Sequence, residues 1–483
     1  MSERLAELDA RAVAPATGVA SRRKFLLPLA LAQFICSFAG SNMNVMINDI
    51  SEDLNTTVKG VQTAITLFLL IMAVLMIPGS KLTDRWGRKR CFTMGLVLYG
   101  IGAVLSAVSP GLGVLILGNS VFEGVGTALL IPPVYILTTL AFDDLTSRAK
   151  AFGAIMGMGG IGAAAGPLIG GLITTGISWR AAFVFQALVV GGIVLLSRRG
   201  VVDPLPPDPE RPFDTVGAVL SAVGLFCLVF AILQIGTHNV LAAILAAVGA
   251  VFLLWFFVYI RRRERAGREP LLSTSLFKNR TSNLALVTQN IQWLILLGTS
   301  FVVAVFLQEV RGYNAIETGV IFTAATVGVL VTSLLAERFA TRRAQKTLIV
   351  AGFVGAIAGI GLLIGLVLAW SSVVAFVPGL FLIGAALGIM LTPSVNVVQS
   401  SFPEEQQGEI SGLSRSISNL GSSLGTAIAG TILVSAVATG NRSYVWAMIA
   451  LAVAGAIGLG AALLLPSDTG GQSVADNQLQ PDQ

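Results

Sequence analysis

The sequence predicts an all-α membrane protein with fourteen transmembrane helices, arranged as two pseudo-symmetric six-helix bundles plus an inserted helix pair. Three observations predict this fold: long apolar segments, basic residues confined to alternate loops, and motifs that recur in the second half of the chain. Of the 483 residues, 54% are hydrophobic and only 12% are charged. A soluble domain carries about 25% charged residues.

The apolar segments give the number of helices. A bilayer core about 30 Å thick is crossed by roughly 20 apolar helical residues. Segments of this kind occupy 25–47, 61–80, 91–108, 113–140, 152–174, 181–197, 215–235, 240–260, 283–308, 318–336, 347–370, 373–398, 411–435 and 442–465.

The basic residues give the orientation. With the N-terminus in the cytoplasm, 27 of the 31 lysines and arginines lie on the cytosolic side, and only Lys59, Arg180, Arg311 and Arg442 lie opposite. This asymmetry follows the positive-inside rule. It predicts a multi-pass protein of the plasma (inner) membrane with both termini cytoplasmic. Because the basic residues are spread over membrane-adjacent loops, the net charge of +6 does not indicate nucleic-acid binding.

Two polar linkers divide the chain. A Pro-rich linker follows the sixth span, and a strongly basic one follows the eighth. The predicted organisation is a cytosolic tail (1–24), an N-terminal six-helix bundle (25–200), a linker with the inserted helices 7 and 8 (201–262), a basic loop with the C-terminal six-helix bundle (263–465) and a cytosolic tail (466–483).

Motifs repeat between the two bundles in unchanged order. Ser80–Lys89 reads SKLTDRWGRK, and 253 residues later Ser333–Arg342 reads SLLAERFATR. The glycines of the fifth span recur in the thirteenth, 259 residues later, and Gly124 recurs as Gly384. A duplicated six-helix unit accounts for all three matches.

These motifs resemble those of a known transporter family. Ser80–Lys89 resembles the Gly-x-Leu-x-Asp-Arg-x-Gly-Arg-Lys loop of the major facilitator superfamily, with serine in place of the first glycine. The fifth-span pattern from Gly162 to Gly171 is similar to the signature of its fourteen-helix drug:proton antiporters. The resemblance covers about 25–465. It implies a secondary active transporter that exports hydrophobic or cationic small molecules by proton antiport with alternating access.

The chain departs from that family at two membrane positions. Ala39 stands where many relatives carry an aspartate in helix 1, and Ser120 stands where they carry an arginine in helix 4. The missing helix 1 acid favours an alternative function, a lipid or siderophore-like translocator with weak or no proton coupling.

The resemblance also implies roles for two groups of residues. One group would form a conformational latch that closes the cytosolic side: Asp84, Arg85, Gly87, Arg88, Lys89, Glu337 and Arg338. The other would form a gating helix: Gly162, Gly166, Pro167, Gly170 and Gly171. Ordinary positive-inside anchoring explains the basic residues equally well, and a small-residue packing seam explains the glycines.

Polar and aromatic residues within the spans predict a central binding cavity. An unsatisfied amide in hydrocarbon is costly, so these side chains face other helices or water. The predicted substrate-binding residues are Phe38, Asn42, Asn44, Phe122, Tyr135, Gln289, Gln292, Trp293 and Asn396. Interhelical hydrogen bonding is the alternative role of the amides.

Glu123 is the acidic residue that lies deepest within a predicted span. A carboxylate at the bilayer centre costs about 2.5–3.5 kcal/mol on insertion scales, so it is a functional candidate by default. We predict a proton-coupling site there, with a permanently protonated structural glutamate as the alternative. The sequence offers no basic residue at comparable depth among the predicted spans.

Other classes of function find little support in the sequence. The one histidine, His238, lies in a short loop, and the three cysteines lie within apolar segments without metal-ligand spacing. We therefore expect no cofactor, no metal and no enzyme activity. A P-loop for nucleotides is absent from the sequence, so an ion gradient would supply the energy. The expected partners are a small-molecule substrate, protons and the lipid bilayer, and we expect a monomer.

The predicted topology is tested by introducing single cysteines and labelling intact cells with an impermeant reagent. Cysteines at Lys59, Arg311 and Arg442 should be labelled from outside, whereas those at Arg88, Arg263 and Arg343 should react only after the membrane is opened. Labelling of position 88 or 263 on intact cells would contradict the fourteen-helix topology.

Overall fold

The computed structural model describes residues 19–142, 145–203, 207–210, 212–340, 345–370, 372–402, 406–435 and 441–466. Most of the predicted tails, 1–24 and 466–483, lies outside these residues. The described chain forms fourteen long helices. In chain order they are α1 (Val19–Asn42, continued by Met43–Met46 and Ile47–Asp53), α2 (Val58–Trp86), α3 (Arg88–Ala107), α4 (Leu112–Ala141), α5 (Leu145–Gly176), α6 (Trp179–Gly200), α7 (Thr215–Gln234), α8 (Asn239–Arg265), α9 (Arg280–Val310), α10 (Ala315–Ala340), α11 (Gln345–Ala369), α12 (Val373–Gln399), α13 (Gln407–Ser435) and α14 (Asn441–Leu463).

The number of membrane spans differs from the number of helices. Within the described residues, twelve helices are long and apolar enough to cross a membrane, and the bent helix α5 would be a thirteenth. The remaining helix, α13, is serine-rich and carries Glu409 and Arg415. The prediction of an all-helical membrane protein is thus confirmed, while the count of fourteen spans is not.

Helix α5 bends by 42° between Ala163 and Ala165. The pyrrolidine ring of a helical proline clashes with the carbonyl four residues earlier. For Pro167 that carbonyl belongs to Ala163, so the bend lies where the proline places it.

Glycines bring the helices of each half into backbone contact in the same way. Two glycines of α5 pack against α1, and two glycines of α13 pack against α9. The pairs are Gly162 with Phe34, Gly166 with Phe38, Gly421 with Asn290 and Gly425 with Leu294. The partners in α1 and α9 are 256 residues apart, so the repeat in the sequence is also a repeat in the packing.

A second pair of helices repeats in the same manner. Glycines of α3 pack against α4, and glycines of α11 pack against α12. The pairs are Gly95 with Gly126, Gly352 with Ala386, Gly102 with Glu123 and Gly359 with Ile383. Glu123 and Ile383 therefore occupy equivalent positions in the two halves.

The pair α7 and α8 contacts both halves through α7. Leu70 and Val74 of α2, Val229 and Leu233 of α7, and Ala427 of α13 form a separate apolar cluster. Helix α8 lies outside it and exposes many large apolar side chains, as a lipid-facing helix does.

Two glycines two residues apart on α5 test this packing. A Cβ at Gly162 would meet the backbone of Phe34, whereas a Cβ at Gly160 would meet open space. We expect Gly162→Ala to lower stability by about 1–3 kcal/mol, the usual effect of overpacking. Gly160→Ala should be neutral or stabilising by up to ~1 kcal/mol, because alanine has the better helix propensity.

Thermal unfolding of both purified variants in detergent provides the measurement. Equal melting temperatures for the two variants would mean that the α1–α5 contact does not depend on the missing side chain.

Candidate functional site

The Glu123 side chain is enclosed inside the N-terminal half. It ends a π-helical segment of α4, Ile116–Glu123, and is fully buried. A Cβ at Gly102 of α3 would lie 2.8 Å from its Cγ, so the glycine makes room for the carboxyl group. Neither carboxyl oxygen has a hydrogen-bond partner among the described residues. An unpaired carboxyl in apolar surroundings is far more stable neutral than ionised.

Two polar side chains stand beside this carboxyl. The Tyr99 hydroxyl of α3 donates to Gln186 Oε1 of α6 at 2.5 Å and lies 3.4 Å from the carbonyl oxygen of Ile35. Gln186 Nε2 is buried, and within the described part of the chain nothing accepts its hydrogens. Tyr99 also lies close enough to Glu123 to interact with it. The three groups form a buried polar chain from α4 through α3 to α6.

A second cluster lies where the two halves meet. Tyr135 of α4 donates to Gln33 Oε1 of α1 at 3.1 Å and stacks on Phe152 of α5, with ring centroids 5.9 Å apart. Over the Tyr135 ring, at 4.9 Å from its centroid, lies the guanidinium of Arg415 in α13. Ser414 of α13 donates to Gln289 Oε1 of α9 at 2.9 Å. We refer to Gln33, Tyr135, Phe152, Gln289 and Arg415 as the central cluster.

At the end of the bundle opposite the basic loops, polar contacts join α1 to α9. Asn44 Nδ2 donates to Ser300 Oγ at 3.3 Å, and Gln308 Nε2 donates to the Asn44 carbonyl oxygen at 2.8 Å. The backbone N–H of Asn48 donates to Gln308 Oε1 at 3.2 Å. The Asn44 amide nitrogen thus joins the halves, while its Oδ1 finds no hydrogen-bond partner among the described residues.

The outer half of α5 makes a parallel contact with α10. Gly171 packs against the backbone of Ala315, and Gly319 packs against that of Pro167. The backbone N–H of Ile316 donates to Thr175 Oγ1 at 3.1 Å. Toward the other end of α5, positions 153 and 157 face open space. The predicted gating helix is therefore packed at its outer half, with Gly170 against Asn42 of α1.

At the basic end, an ion cluster joins the halves. Lys81 Nζ of α2 lies 2.5 Å from Glu409 of α13 and 2.8 Å from Glu269 in the loop after α8. This lysine of the N-terminal half thereby contacts both the C-terminal half and the loop that follows the inserted pair. We refer to Lys81, Glu269 and Glu409 as the ion cluster.

The predicted latch residues contribute contacts within one half. Asp84 pairs with Arg88 at 3.0 Å, one turn along the chain. Asp203, after α6, accepts from the backbone N–H groups of Arg88 and Lys89 and so caps α3. Gly87 has φ = +93°, a conformation that favours glycine, and it separates α2 from α3.

The structure shows less about the remaining predicted latch residues, Arg85, Glu337 and Arg338. Arg85 is half-buried at the end of α2. The side chains of Glu337 and Arg338 lie outside the described part of the structure, so the repeated latch of the second half stays a prediction.

The predicted substrate-binding residues separate into groups. Tyr135 and Gln289 belong to the central cluster. Phe38 is fully buried and packs against Phe34 and Phe185, with centroids 6.0 and 5.6 Å away. Asn42 and Gln292 are buried, and none of their amide atoms finds a hydrogen-bond partner among the described residues. Phe122 and Trp293 are half-buried, and Asn396 is exposed near the end of α12.

Sequence reasoning missed Arg415 and Lys81. The thirteenth apolar segment begins at residue 411, so Arg415 was assigned to its cytosolic end. The helix begins at Gln407, which places Arg415 at its ninth residue and in contact with Tyr135. The expectation of no basic residue at the depth of Glu123 stays a prediction. The sequence places Lys81 within the repeated motif, but it does not indicate the partners of this lysine, which lie 188 and 328 residues away along the chain.

Polar contacts join the two helical halves at both ends, and residues 29–426 match the family model of the Major Facilitator Superfamily. The chain belongs to the Major Facilitator Superfamily. Members of this superfamily are membrane transporters and efflux pumps, not enzymes.

Curated relatives in this superfamily are resistance and efflux proteins. The multidrug resistance protein Stp of Mycobacterium tuberculosis is 28% identical over 85% of this chain and 75% of its own. The puromycin resistance protein pur8 of Streptomyces alboniger is 28% identical over 86% and 82%. The multidrug efflux pump LfrA of Mycolicibacterium smegmatis is 27% identical over 85% and 80%.

Solved structures share the fold. The crystal structure of a peptide transporter POT in complex with sulfate superimposes with a TM-score of 0.68 at 17% identity, covering 93% of this chain and 96% of the other. A POT family transporter in complex with 5-aminolevulinic acid gives a TM-score of 0.67 at 14% identity, covering 91% and 96%.

A charge exchange tests the ion cluster. Lys81→Glu should reduce transport strongly, because it places three carboxylates together. Adding Glu409→Lys should restore a large part of the rate, since the pair then attracts again with opposite polarity. Transport by both variants is compared at matched amounts in the membrane, with Arg90→Glu at an exposed site in the first turn of α3 as the control.

A double variant as slow as Lys81→Glu alone would show that the position is needed for a reason other than this ion pair. If Lys81→Glu transports normally, the ion cluster has no part in the transport cycle.

Proposed function

We propose that this protein is a secondary active transporter that exports small molecules across the plasma membrane by proton antiport with alternating access. The observation that carries the proposal is the buried carboxyl group of Glu123. The names of the relatives support export of drug-like molecules as the direction and class of transport. The coupling to protons rests on this chain's own residues.

The two halves place very different residues at the Glu123 position. Its equivalent in the packing of α11 and α12 is Ile383, an apolar side chain. Packing at this point therefore needs no carboxyl group. A residue that costs about 2.5–3.5 kcal/mol to insert, and that the equivalent helix pair does without, is best explained by function.

The buried polar chain beside Glu123 supplies a means of stabilising both protonation states. With the Gln186 amide as placed, Tyr99 donates to Gln186, an arrangement that suits a neutral carboxyl group at Glu123. A half-turn of that amide exchanges its oxygen and nitrogen. Gln186 Nε2 would then donate to the Tyr99 oxygen, and the Tyr99 hydroxyl would donate to an ionised Glu123. Loss of the proton would thus be accompanied by a rearrangement of α3 and α6 side chains.

The interhelical contacts support alternating access. The outer contacts of α1 with α9 and of α5 with α10 close one end of the bundle. Toward the basic end, α5 faces open space at positions 153 and 157. Also toward the basic end, the ion cluster and the Tyr135–Arg415 contact join the two halves. The ion cluster would part when α2 moves relative to α13.

We include α13 as a spanning helix, which gives fourteen spans and both termini in the cytoplasm. Its hydroxyl groups bond to carbonyl oxygens: Ser416 to Ala73 and Ser423 to Thr66 of α2, and Ser418 to Ser414 of α13 itself. A helix whose polar groups are satisfied in this way is stable inside a bundle although its composition is too polar for a lipid-exposed span. The protein would act as a monomer within the bilayer.

A second candidate function is a lipid or siderophore-like translocator with weak or no proton coupling. Ser120, at the position of the relatives' helix 4 arginine, donates to the Ala64 carbonyl oxygen at 2.8 Å. Ala39 stands at the position of their helix 1 aspartate. Both positions hold ordinary packing residues, which favours a transporter with fewer coupling groups.

Substitution of Glu123 distinguishes the two candidates. For proton antiport, Glu123→Gln should abolish transport driven by a pH gradient while exchange of substrate without a gradient continues, because glutamine mimics the protonated acid. Glu123→Asp should retain part of the driven transport. Both activities are measured in proteoliposomes with wild-type protein beside them.

Driven transport by Glu123→Gln at the wild-type rate and with the wild-type pH dependence would exclude Glu123 as the coupling residue and would favour the translocator. Loss of both driven transport and exchange would indicate damage to the fold, which the melting temperature of the variant checks.

A further inference from the structure

Helix α8 carries an exposed apolar face along its length. Leu254, Trp255 and Val258 on this face are 67%, 56% and 48% exposed, whereas Phe256 and Ile260 on the opposite face are buried. The helix is long and apolar enough to span a membrane. Its exposed face therefore lies against lipid, and the buried one packs against the rest of the protein.

Three arginines continue this exposed face beyond the apolar part of the helix. At 3.6 residues per turn, Arg261, Arg262 and Arg265 fall on the same side of α8 as Leu254 and Val258. All three arginines are exposed, and we refer to them as the arginine face. At 1.5 Å per residue, Val258 and Arg265 are about 10 Å apart along the helix, so the stripe passes from hydrocarbon to the headgroup region within that length.

The other charges of this turn are bound within the protein. Arg263, on the opposite side of the helix, donates to the Glu269 carbonyl oxygen at 2.8 Å. Glu264 accepts from the hydroxyl groups of Ser273 and Thr274. Among the described residues, no carboxylate pairs with a guanidinium group of the arginine face. Its positive charge is therefore available to an anion from outside the chain.

The shape and charge of the stripe identify the occupant. The guanidinium fork matches a phosphate group with two parallel hydrogen bonds. A phospholipid carries a phosphate and acyl chains in one molecule, so it fits the arginine face and the apolar face together. A second copy of this chain fits poorly, because a two-fold symmetric contact through this stripe would place the two arginine faces against each other.

We infer that the basic end of α8 is a binding site for an anionic phospholipid, with the headgroup on the arginine face and the acyl chains along the exposed apolar face. Ordinary positive-inside anchoring requires only that basic residues lie in the loop. The proposed site requires that they lie on one helical face in line with the lipid-exposed side chains. It depends neither on Glu123 nor on proton antiport.

Native mass spectrometry of the full-length protein, purified in detergent, tests the inference. The protein is titrated with phosphatidylglycerol, an anionic lipid, and with phosphatidylcholine, which has no net charge. Wild-type protein should bind a first molecule of phosphatidylglycerol at least about tenfold more tightly, since each basic residue at the surface adds to the attraction of anionic lipid. Glycerol 1-phosphate carries the phosphate but no acyl chain, and at equal concentration it should not displace the lipid.

Substitution of the arginine face separates charge from geometry. The triple variant Arg261→Gln, Arg262→Gln, Arg265→Gln should lose at least about tenfold in affinity for phosphatidylglycerol and should keep the wild-type affinity for phosphatidylcholine. Lysine at the same three positions should give an intermediate affinity, because it keeps the charge and loses the fork.

A control variant removes the same charge from three other helices. Arg23→Gln, Arg90→Gln and Arg442→Gln lie at exposed sites of α1, α3 and α14, and together they should leave both affinities unchanged. Equal losses in the control and the arginine-face variant would show that net charge alone governs binding, and would overturn the inference.

Two results with wild-type protein would also overturn it: equal affinity for the two lipids, or displacement of phosphatidylglycerol by glycerol 1-phosphate. These two measurements need no variant, so the inference can be tested even if the glutamine triple variant does not fold.

Discussion

Helices in a bilayer gain little by burying apolar side chains against each other, because lipid tails are as apolar as leucine. In this protein the helices are held by close approach of backbones at glycine. The chain contains 53 glycines, and those of α5 and α13 pack directly against carbonyl groups of α1 and α9. Such contacts need shape complementarity along whole helices, so they fix the relative rotation of neighbours. Rotation in turn decides which side chains enter the interface between the halves.

A duplicated packing scheme makes deviations from it informative. Where both halves need only a packing residue, they use glycine or small apolar residues at equivalent positions. Where one half carries a charged or polar residue and the other does not, packing cannot be the reason for it. Glu123 opposite Ile383 is the clearest case. Gln33 and Gln289 represent the reverse case, since both halves keep the amide and both amides accept a hydroxyl hydrogen bond from a neighbouring helix.

Hydropathy and charge patterns predicted the helices well, because each span must satisfy its backbone internally and must be apolar over a fixed length. These patterns did not predict the ends of the helices correctly. Helix α2 continues through Asp84 to Trp86, and α13 begins before its apolar segment, because polar residues extend a helix wherever another helix covers them. For α13 the difference at the start of the helix amounts to four residues.

The candidate site was predictable in part for a similar physical reason. Glu123 was found from the sequence because its depth follows from its position in a long apolar segment. Its neighbours Tyr99 and Gln186 were not assigned to it, since a span pattern does not give the rotation of one helix against another. The partners of Lys81 could not be predicted for the same reason, because the contact between α2 and α13 joins residues that are 328 positions apart in the sequence.

The three deep or interfacial charges differ in how a rocking motion of the halves would affect them. Lys81 and Glu409 lie on different halves, so the motion separates them directly. Arg415 and Tyr135 also lie on different halves, so the motion would alter their contact as well. Glu123 keeps its neighbours in any rigid-body motion, because α3, α4 and α6 all belong to one half. Protonation of Glu123 can therefore bias the motion only through a change within that half.

Helix α4 carries both Glu123 and Tyr135, twelve residues or about 18 Å apart, and its π-helical segment ends at Glu123. Segments of this type are sites of local rearrangement in helices. A shift of α4 on loss of the proton would reach the Tyr135–Arg415 contact, which joins the two halves.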